Sequence, residues 1–238
     1  ALPNGFEGVA QDLAGKPKPI VFGRVLNVAP PCVNTSFLVY ELDNRGLTSI
    51  DAVYDRGVAL TYGGTFATEA EMLDVLAAPA AGEYKVYLPK GRFALGSSPS
   101  GTITADATQG ATLADRTAAQ LFEAVLLFAG VAGGDILASD ITTLDTQNAA
   151  ECGLYVSDVI SVATVLDMLA ETVGAWWGVN AAGEYRIVRL DRPMGTAALS
   201  FEANDLIGPP IRQSTADPER GLPAYSVVVR YARNYTVQ

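Results

Sequence analysis

Residues 19–27 read PIVFGRVLN, and this stretch marks where the ordered part of the fold begins. Its residues are apolar or β-branched around one glycine, Gly23, a composition typical of a strand. Pro30 and Pro31 end the strand, because proline has no backbone N–H to donate to a sheet. Residues 1–14 mix glycine, proline and polar side chains without periodicity, and they are predicted to be a tether or linker.

Further strands follow in the first half of the chain. Residues 36–42 (SFLVYEL) predict a second strand, and residues 44–46 (NRG) predict a turn after it. An alternating pattern predicts a third strand at 50–55, and shorter strands are predicted at 84–88 and 92–95. Together these segments indicate a β-meander.

Helical signals occur at three places. Thr68 and Glu71 form a capping-box sequence, which predicts a short helix over residues 68–77. Apolar residues repeat at helical spacing over residues 116–130 and again over residues 161–173.

The last of these helices leads into a hairpin sequence. Ser161 is a suitable N-cap residue, and Gly174 stands where a left-handed C-cap is needed. Residues 175–190 alternate about a turn at 180–183, which predicts a β-hairpin packed beside the helix.

These elements predict an α+β, β-rich fold. Residues 15–96 are expected to form a β-rich part with the short helix, and residues 97–200 an α/β part with two helices and the hairpin. A long strand near the end of residues 201–238 is expected to pair back onto the first part, because a lone edge strand promotes aggregation. The chain starts at Ala1 and stops at Gln238 within an apolar-alternating run, so we expect a fragment or a processed chain.

The composition argues against several classes of function. A net charge of −10, with no cluster of lysine or arginine, disfavours stable binding to nucleic acid phosphates. The sequence has no signal peptide and no apolar run of about 18 residues, so membrane insertion is not expected. Cys32 and Cys152 form no disulfide framework and no C-x-x-C motif, which favours free thiols, with a single bridge as the alternative.

The search for catalytic chemistry is largely negative. Histidine is absent, which removes the commonest general base and metal ligand, and no Walker, Rossmann or nucleophile-elbow motif occurs. Asp51 and Asp55, or Asp140 and Asp145, could serve a hydrolase only if two carboxylates faced one cleft. Four acidic residues could be offered as calcium ligands, namely Asp135, Asp140, Asp145 and Glu151. Their spacing matches no known calcium loop, so we predict no catalytic, cofactor-binding or metal-binding residue.

Aromatic residues are the candidate anchors of an interface or of the core. Trp176 and Trp177 are adjacent, so in a strand they point to opposite faces and at most one enters the core. A sugar-binding platform is the alternative role for the exposed one. Three tyrosines of the last predicted strand lie on the same face by strand alternation, namely Tyr225, Tyr231 and Tyr235. They could form either a contact surface or a core face.

Several strings resemble the central tail hub or tail-tip proteins of long-tailed bacteriophages and prophages. The resemblance rests on residues 15–27 (GKPKPIVFGRVLN), 53–57 (VYDRG) and 101–110 (GTITADATQG). It extends to the block 153–178, which contains VLDMLAETVGAWWG, and to VVVRYARNYTVQ at 227–238. The matches are scattered over most of residues 15–238 and carry no catalytic motif.

The resemblance implies a non-enzymatic structural protein with β-barrel-like hub domains and an α/β insertion. It implies a homotrimer around the tail axis that joins the tail tube to the tip or fibre by contacts with other tail proteins. The location implied is the virion tail, after assembly in the bacterial cytoplasm. Two other functions stay open from the residues alone: a carbohydrate-binding, host-adhesion module that uses an exposed tryptophan, and a carboxylate-based cell-wall hydrolase.

Overall fold

The structure is a computed structural model that describes residues 5–6, 13, 16–189 and 234–236. In this part the chain is a mixed α+β protein with more strand than helix, built from three sheets and three α-helices. The predicted α+β, β-rich class is therefore confirmed. The predictions made for most of the tether, for Tyr225 and Tyr231, and for most of residues 201–238 lie outside the described residues.

The strands and helices are defined by the following bounds. In chain order the strands are β1 (Ile20–Val28), β2 (Cys32–Asn34), β3 (Val39–Glu41), β4 (Ser49–Asp55), β5 (Val58–Ala59), β6 (Thr61–Thr65), β7 (Glu83–Tyr87), β8 (Arg92–Leu95), β9 (Ile103–Thr108), β10 (Gly153–Val156), β11 (Ala175–Val179) and β12 (Tyr185–Arg189). The helices are α1 (Ala118–Phe128), α2 (Ala138–Gln147) and α3 (Val162–Val173).

Two of the sheets have five strands, and the third is a hairpin. The first sheet has the order β10-β1-β9-β4-β5, with every pair antiparallel. The second has the order β2-β3-β8-β7-β6, in which β6 runs parallel to β7. The third is β11-β12. Because β9 and β10 flank β1, the chain on both sides of the boundary predicted at 97 contributes to the first sheet.

Strand β1 buries side chains on both of its faces. Val21 and Val25 point into one hydrophobic cluster, whereas Phe22 points into another. Gly23 has a φ of +67°, and a Cβ there would lie 2.1 Å from the carbonyl oxygen of Cys152. Only glycine fits this close approach of β10 to β1, which explains the single glycine in the apolar stretch.

The first cluster lies between the two five-stranded sheets. It contains Val21, Val25, Val28, Tyr40, Leu42, Leu47, Ile50, Val53, Tyr84, Val86, Phe93, Leu95, Ile103, Ala105 and Ala107. The segment from β5 to β6 passes from the edge of the first sheet to the edge of the second. Among the described residues, none of the sheets closes into a barrel.

The second cluster lies between β1, β10, the three helices and the hairpin. Phe122, Leu126 and Leu166 are among its fully buried side chains. As predicted, Ser161 caps α3 by accepting a hydrogen bond from the Thr164 amide, and Gly174 ends the helix with a φ of +64°. In the part of the chain described, no helix is long and apolar enough to cross a membrane.

The prediction of a short helix over residues 68–77 is wrong. The chain forms two 3-10 turns there, Ala70–Leu73 and Val75–Ala77, because Asp74 between them is extended and its side chain caps the Leu76 amide. Only half of the capping box forms: Thr68 accepts from the Glu71 amide, but the Glu71 carboxylate accepts from Ala67.

The strand predicted at 36–42 is also shorter than expected, since only Val39–Glu41 is a strand. The Asn34 side chain accepts hydrogen bonds from the amides of Ser36 and Phe37. These bonds turn the chain before β3, and Leu38 adopts a φ of +52°.

Helix α2 is a third helix that the sequence did not predict, so the expectation of two helices after residue 97 is wrong. Its threonine-rich sequence has low helix propensity, but Ile141 and Leu144 are buried in the second cluster. Thr117 caps α1, whereas Asp115 belongs to the capping box of the preceding 3-10 turn.

The described residues near the C-terminus contact β1. Asn234 forms a parallel bridge with Leu26, and the Tyr235 amide donates to the Leu26 carbonyl at 3.4 Å. The rest of the last strand, which is predicted to pair back onto the first part of the chain, lies outside the described residues.

A buried carboxylate fixes the backbone of β1 to the turn after β3. The Asp43 side chain is fully buried and accepts the Val21 amide at 2.8 Å. Arg45 completes the arrangement, since its guanidinium donates to Asp43 at 3.0 Å and to the Val21 carbonyl at 2.6 Å. The same guanidinium lies over the rings of Phe22 and Phe128, at 4.5 and 5.1 Å from their centroids. Asp43 and Arg45 therefore link the turn to Val21 in the first cluster and to Phe22 in the second.

Replacing Asp43 with asparagine should lower the free energy of unfolding by about 2–3 kcal/mol, because the guanidinium loses its counter-charge and the buried amide its carboxylate acceptor. Urea denaturation measures this difference. The matched control is Asp158→Asn at an exposed position, where a change below about 0.5 kcal/mol is expected. Equal stabilities of the two variants would contradict the proposed role of Asp43.

Candidate functional site

The hairpin β11-β12 places the two tryptophans on opposite faces. Trp176 stands across from Val188, and Trp177 stands across from Ile187. Because Ile187 is fully buried, the face of Trp177 is the inner one.

Trp177 packs into the second cluster. Its ring centroid lies 6.4 Å from that of Phe122, and its indole Nε1 donates to an Asp167 carboxylate oxygen on α3 at 2.7 Å. The polar edge of the indole thus has a partner while its apolar body contacts the core, as amphipathic aromatic residues require. Trp177 is an anchor between α3 and the hairpin.

Trp176 lies on the outer face and is 56% exposed. Its indole extends along the strand over Gly178, where a Cβ would lie 2.5 Å from Cη2 and 2.7 Å from Cζ2. Glycine at 178 therefore allows the ring to lie close against the backbone. The cross-strand neighbour Val188 is also exposed.

Polar side chains occupy the other end of this outer face. Arg186 stands across from Gly178, and its guanidinium donates to both carboxylate oxygens of Asp140, at 2.7 and 3.0 Å. At the turn, the Asn180 side-chain amide donates to the Glu184 carboxylate at 2.7 Å. The outer face thus changes from apolar to polar along its length, and these hydrogen bonds fix its polar groups.

Tyr235 is in a different environment, packed against the first cluster. Its ring meets that of Tyr155 edge to face at 6.1 Å, and its hydroxyl accepts the Tyr155 amide at 3.1 Å. This geometry gives Tyr235 a packing role beside β10.

The first pair of candidate carboxylates is committed to structural contacts. Asp51 accepts from the hydroxyls of Ser49 and Thr108, at 2.6 and 2.7 Å. Asp55 accepts from Ser100 and Gly101, and chiefly the Ser100 amide lowers the pKa of its carboxyl group. A general acid needs a raised pKa, so the lowered pKa of Asp55 does not suit it to that role.

Three of the four candidate calcium ligands are engaged elsewhere. Asp140 pairs with Arg186, and Asp145 accepts from Thr117 and from the Gln120 side chain. Glu151 accepts from Arg116 Nε at 2.7 Å. Among the described residues, no group of three or more acidic or cysteine side chains is arranged to hold a metal ion.

Both cysteines are free thiols, so the single bridge considered from the sequence is not formed. Cys152 is partly buried, and this burial raises the pKa of its thiol. A raised pKa suppresses the thiolate and makes the thiol a poor nucleophile.

A second exposed apolar feature is the tip of the loop after β6, formed by Val75 and Leu76. These side chains are 76% and 94% exposed. The tip is held by the Asp74 cap on the Leu76 amide and by Lys85, whose Nζ donates to the Ala77 carbonyl at 2.8 Å. We call this pair the apolar tip. Leu76 falls within the short helix predicted over residues 68–77, where no α-helix forms.

Strand β6 precedes this loop in the chain and forms the edge of the second sheet. Its side chains at Thr61, Tyr62 and Thr65 are exposed. On its other side, β6 pairs with β7 in parallel. The edge strand β6 and the apolar tip therefore follow one another in the chain.

Comparison with known proteins gives no relatives: no family model, no curated protein and no solved structure matches this chain.

The two tryptophans should differ sharply in their contribution to stability. Trp177→Ala should lower the free energy of unfolding by about 2–3 kcal/mol, because it removes a partly buried side chain that packs against the second cluster and bonds Asp167. Trp176→Ala should change it by less than about 1 kcal/mol, since the ring is mostly exposed. Urea denaturation of both variants measures the difference, and similar losses would contradict the assignment of inner and outer faces.

Proposed function

We propose that this chain is a non-enzymatic structural component of the tail of a long-tailed phage or prophage, at the hub or tip, and that it acts by assembly. The observation that carries the proposal is the apolar tip, Val75 and Leu76, in the loop that follows the edge strand β6. An exposed apolar pair and an open sheet edge are each features of interaction surfaces.

The energetics favour a covered state for this region. Burying a valine or leucine side chain in an interface stabilises it by about 1.5–3 kcal/mol. An edge strand also presents backbone donors and acceptors that a neighbouring strand can satisfy. The hydrogen bonds from the Leu76 amide to Asp74 and from Lys85 to the Ala77 carbonyl hold the tip in place, so little conformational entropy is lost on binding.

The strings that resemble tail hubs occupy structural positions, which supports the same proposal. Residues 53–57 form the end of β4 and the turn to β5, with Arg56 in a left-handed conformation. Residues 153–178 contain β10, α3 and most of β11. These elements build the two hydrophobic clusters and hold no assembled catalytic group, as a structural role requires.

In the proposed assembly the chain forms a trimer around the tail axis and joins the tail tube to the tip or fibre through other tail proteins. The two five-stranded sheets around one core would correspond to a barrel-like hub domain, and the helices to its α/β insertion. The net charge of −10 suits a component that DNA passes without binding. Assembly would take place in the bacterial cytoplasm, and the final location would be the virion tail.

Changing Leu76 to aspartate should weaken self-association by about tenfold or more, because a charge would be buried in the interface. Light scattering after size-exclusion chromatography, over a range of protein concentrations, measures the association. Leu113→Asp is the matched control, since Leu113 is 61% exposed on a different turn. A chain that stays monomeric throughout, or equal association of both variants, would contradict the proposal.

The absence of enzymatic activity is tested separately on cell-wall zymograms. No clearing is expected, because the pKa of Asp55 is lowered and Asp51 is held by hydroxyl groups. A zone of clearing that disappears in Asp55→Asn or Asp51→Asn would overturn the non-enzymatic assignment.

A further inference from the structure

We propose that the outer face of the hairpin is a binding site for one neutral pyranose ring of a polysaccharide, with Trp176 as the stacking platform. This function is additional to the assembly role and uses different residues. The indole is 56% exposed and lies along the strand over Gly178, so one face of the ring system is free to contact a ligand. A pyranose presents a flat patch of C–H groups that matches such a face.

The platform is fixed before a ligand binds. Gly178 lets the ring lie against the backbone, and beneath the strand Trp177 anchors the hairpin to Asp167 on α3. A fixed ring loses little rotamer freedom on binding. This matters for sugars, whose contacts are individually weak.

The polar end of the same face supplies groups for sugar hydroxyls. By register, Gly178 and Asn180 follow Trp176 on β11 and its turn, and Arg186 and Glu184 stand opposite them. Guanidinium, amide and carboxylate groups together donate and accept hydrogen bonds, as hydroxyl recognition requires.

The charges of this face select among sugars. Asp140 neutralises Arg186 through two hydrogen bonds, and Glu184 then leaves one negative charge. An acidic sugar such as a glucuronide would be repelled, whereas a neutral pyranose would not.

The area of the platform favours a sugar over a protein partner. Trp176 and Val188 together expose roughly 200 Å² of largely apolar surface, given that an aromatic side chain covers about 150–250 Å². A stable protein interface needs about 800 Å² per partner. One ring-sized ligand therefore fits the platform better than a second copy of the chain.

The test uses the two indole N–H signals in a ¹⁵N-correlation spectrum of the whole chain, which contains two tryptophans. The probes are the methyl glycosides of glucose, galactose, N-acetylglucosamine and rhamnose, titrated to about 50 mM because millimolar affinity is expected. Trp176→Phe removes one signal and so assigns both. At least one glycoside should shift the Trp176 signal in a saturable way and leave that of Trp177 unchanged, and methyl glucuronide should have no such effect.

Two variants test the geometry. Gly178→Ala should weaken binding several-fold while the Trp177 signal stays in place, because a Cβ there would push the indole away from the strand. Leu76→Asp should bind the same glycoside with unchanged affinity, which separates this site from the assembly surface. An unmoved Trp176 signal with all four glycosides, or equal shifts of both indole signals, would overturn the proposal.

Discussion

The fold depends on the requirement that β1 bury both of its faces. Val21 and Val25 complete the core between the two five-stranded sheets, and Phe22 begins the core beneath the helices. A strand buried on both sides cannot shift by one residue without exchanging the two sets of side chains. The pairing of β1 with β9 on one side and β10 on the other is therefore tightly specified.

Buried ion pairs reinforce this register. Asp43 and Arg45 hold the amide and carbonyl of Val21, and in the second sheet Glu41 accepts Arg92 Nε at 2.6 Å across the β3-β8 pair. A buried charge is costly unless its partner is in place. A shifted strand would break these pairs, so they penalise alternative registers more than they add to the net stability.

Much of the fold could be predicted from the sequence, because apolar periodicity and caps act locally. The helix capped by Ser161 and Gly174 and the hairpin after it follow from such signals. Helix α2 could not be predicted, since its threonine-rich sequence is stabilised by tertiary burial of Ile141 and Leu144. Opposite faces for the two tryptophans follow from strand alternation, but which of them is exposed depends on where α3 packs. The partners of Asp51 and Asp55 are set by long-range contacts that a sequence does not display.

The two exposed residues, Leu76 and Trp176, are both held in place by their surroundings, which a hydrophobic pattern in the sequence does not reveal. A pattern assigns apolar residues to the interior, yet Leu76 and Trp176 are held outward by specific supports: a side-chain cap on the Leu76 amide, and a glycine beneath the indole. Holding an apolar side chain in water is unfavourable, and a loose loop could relax by folding it inward. Supports that prevent this relaxation reduce the entropy lost on binding. Rigid presentation, in addition to exposure, is therefore the reason for assigning binding roles to these two residues.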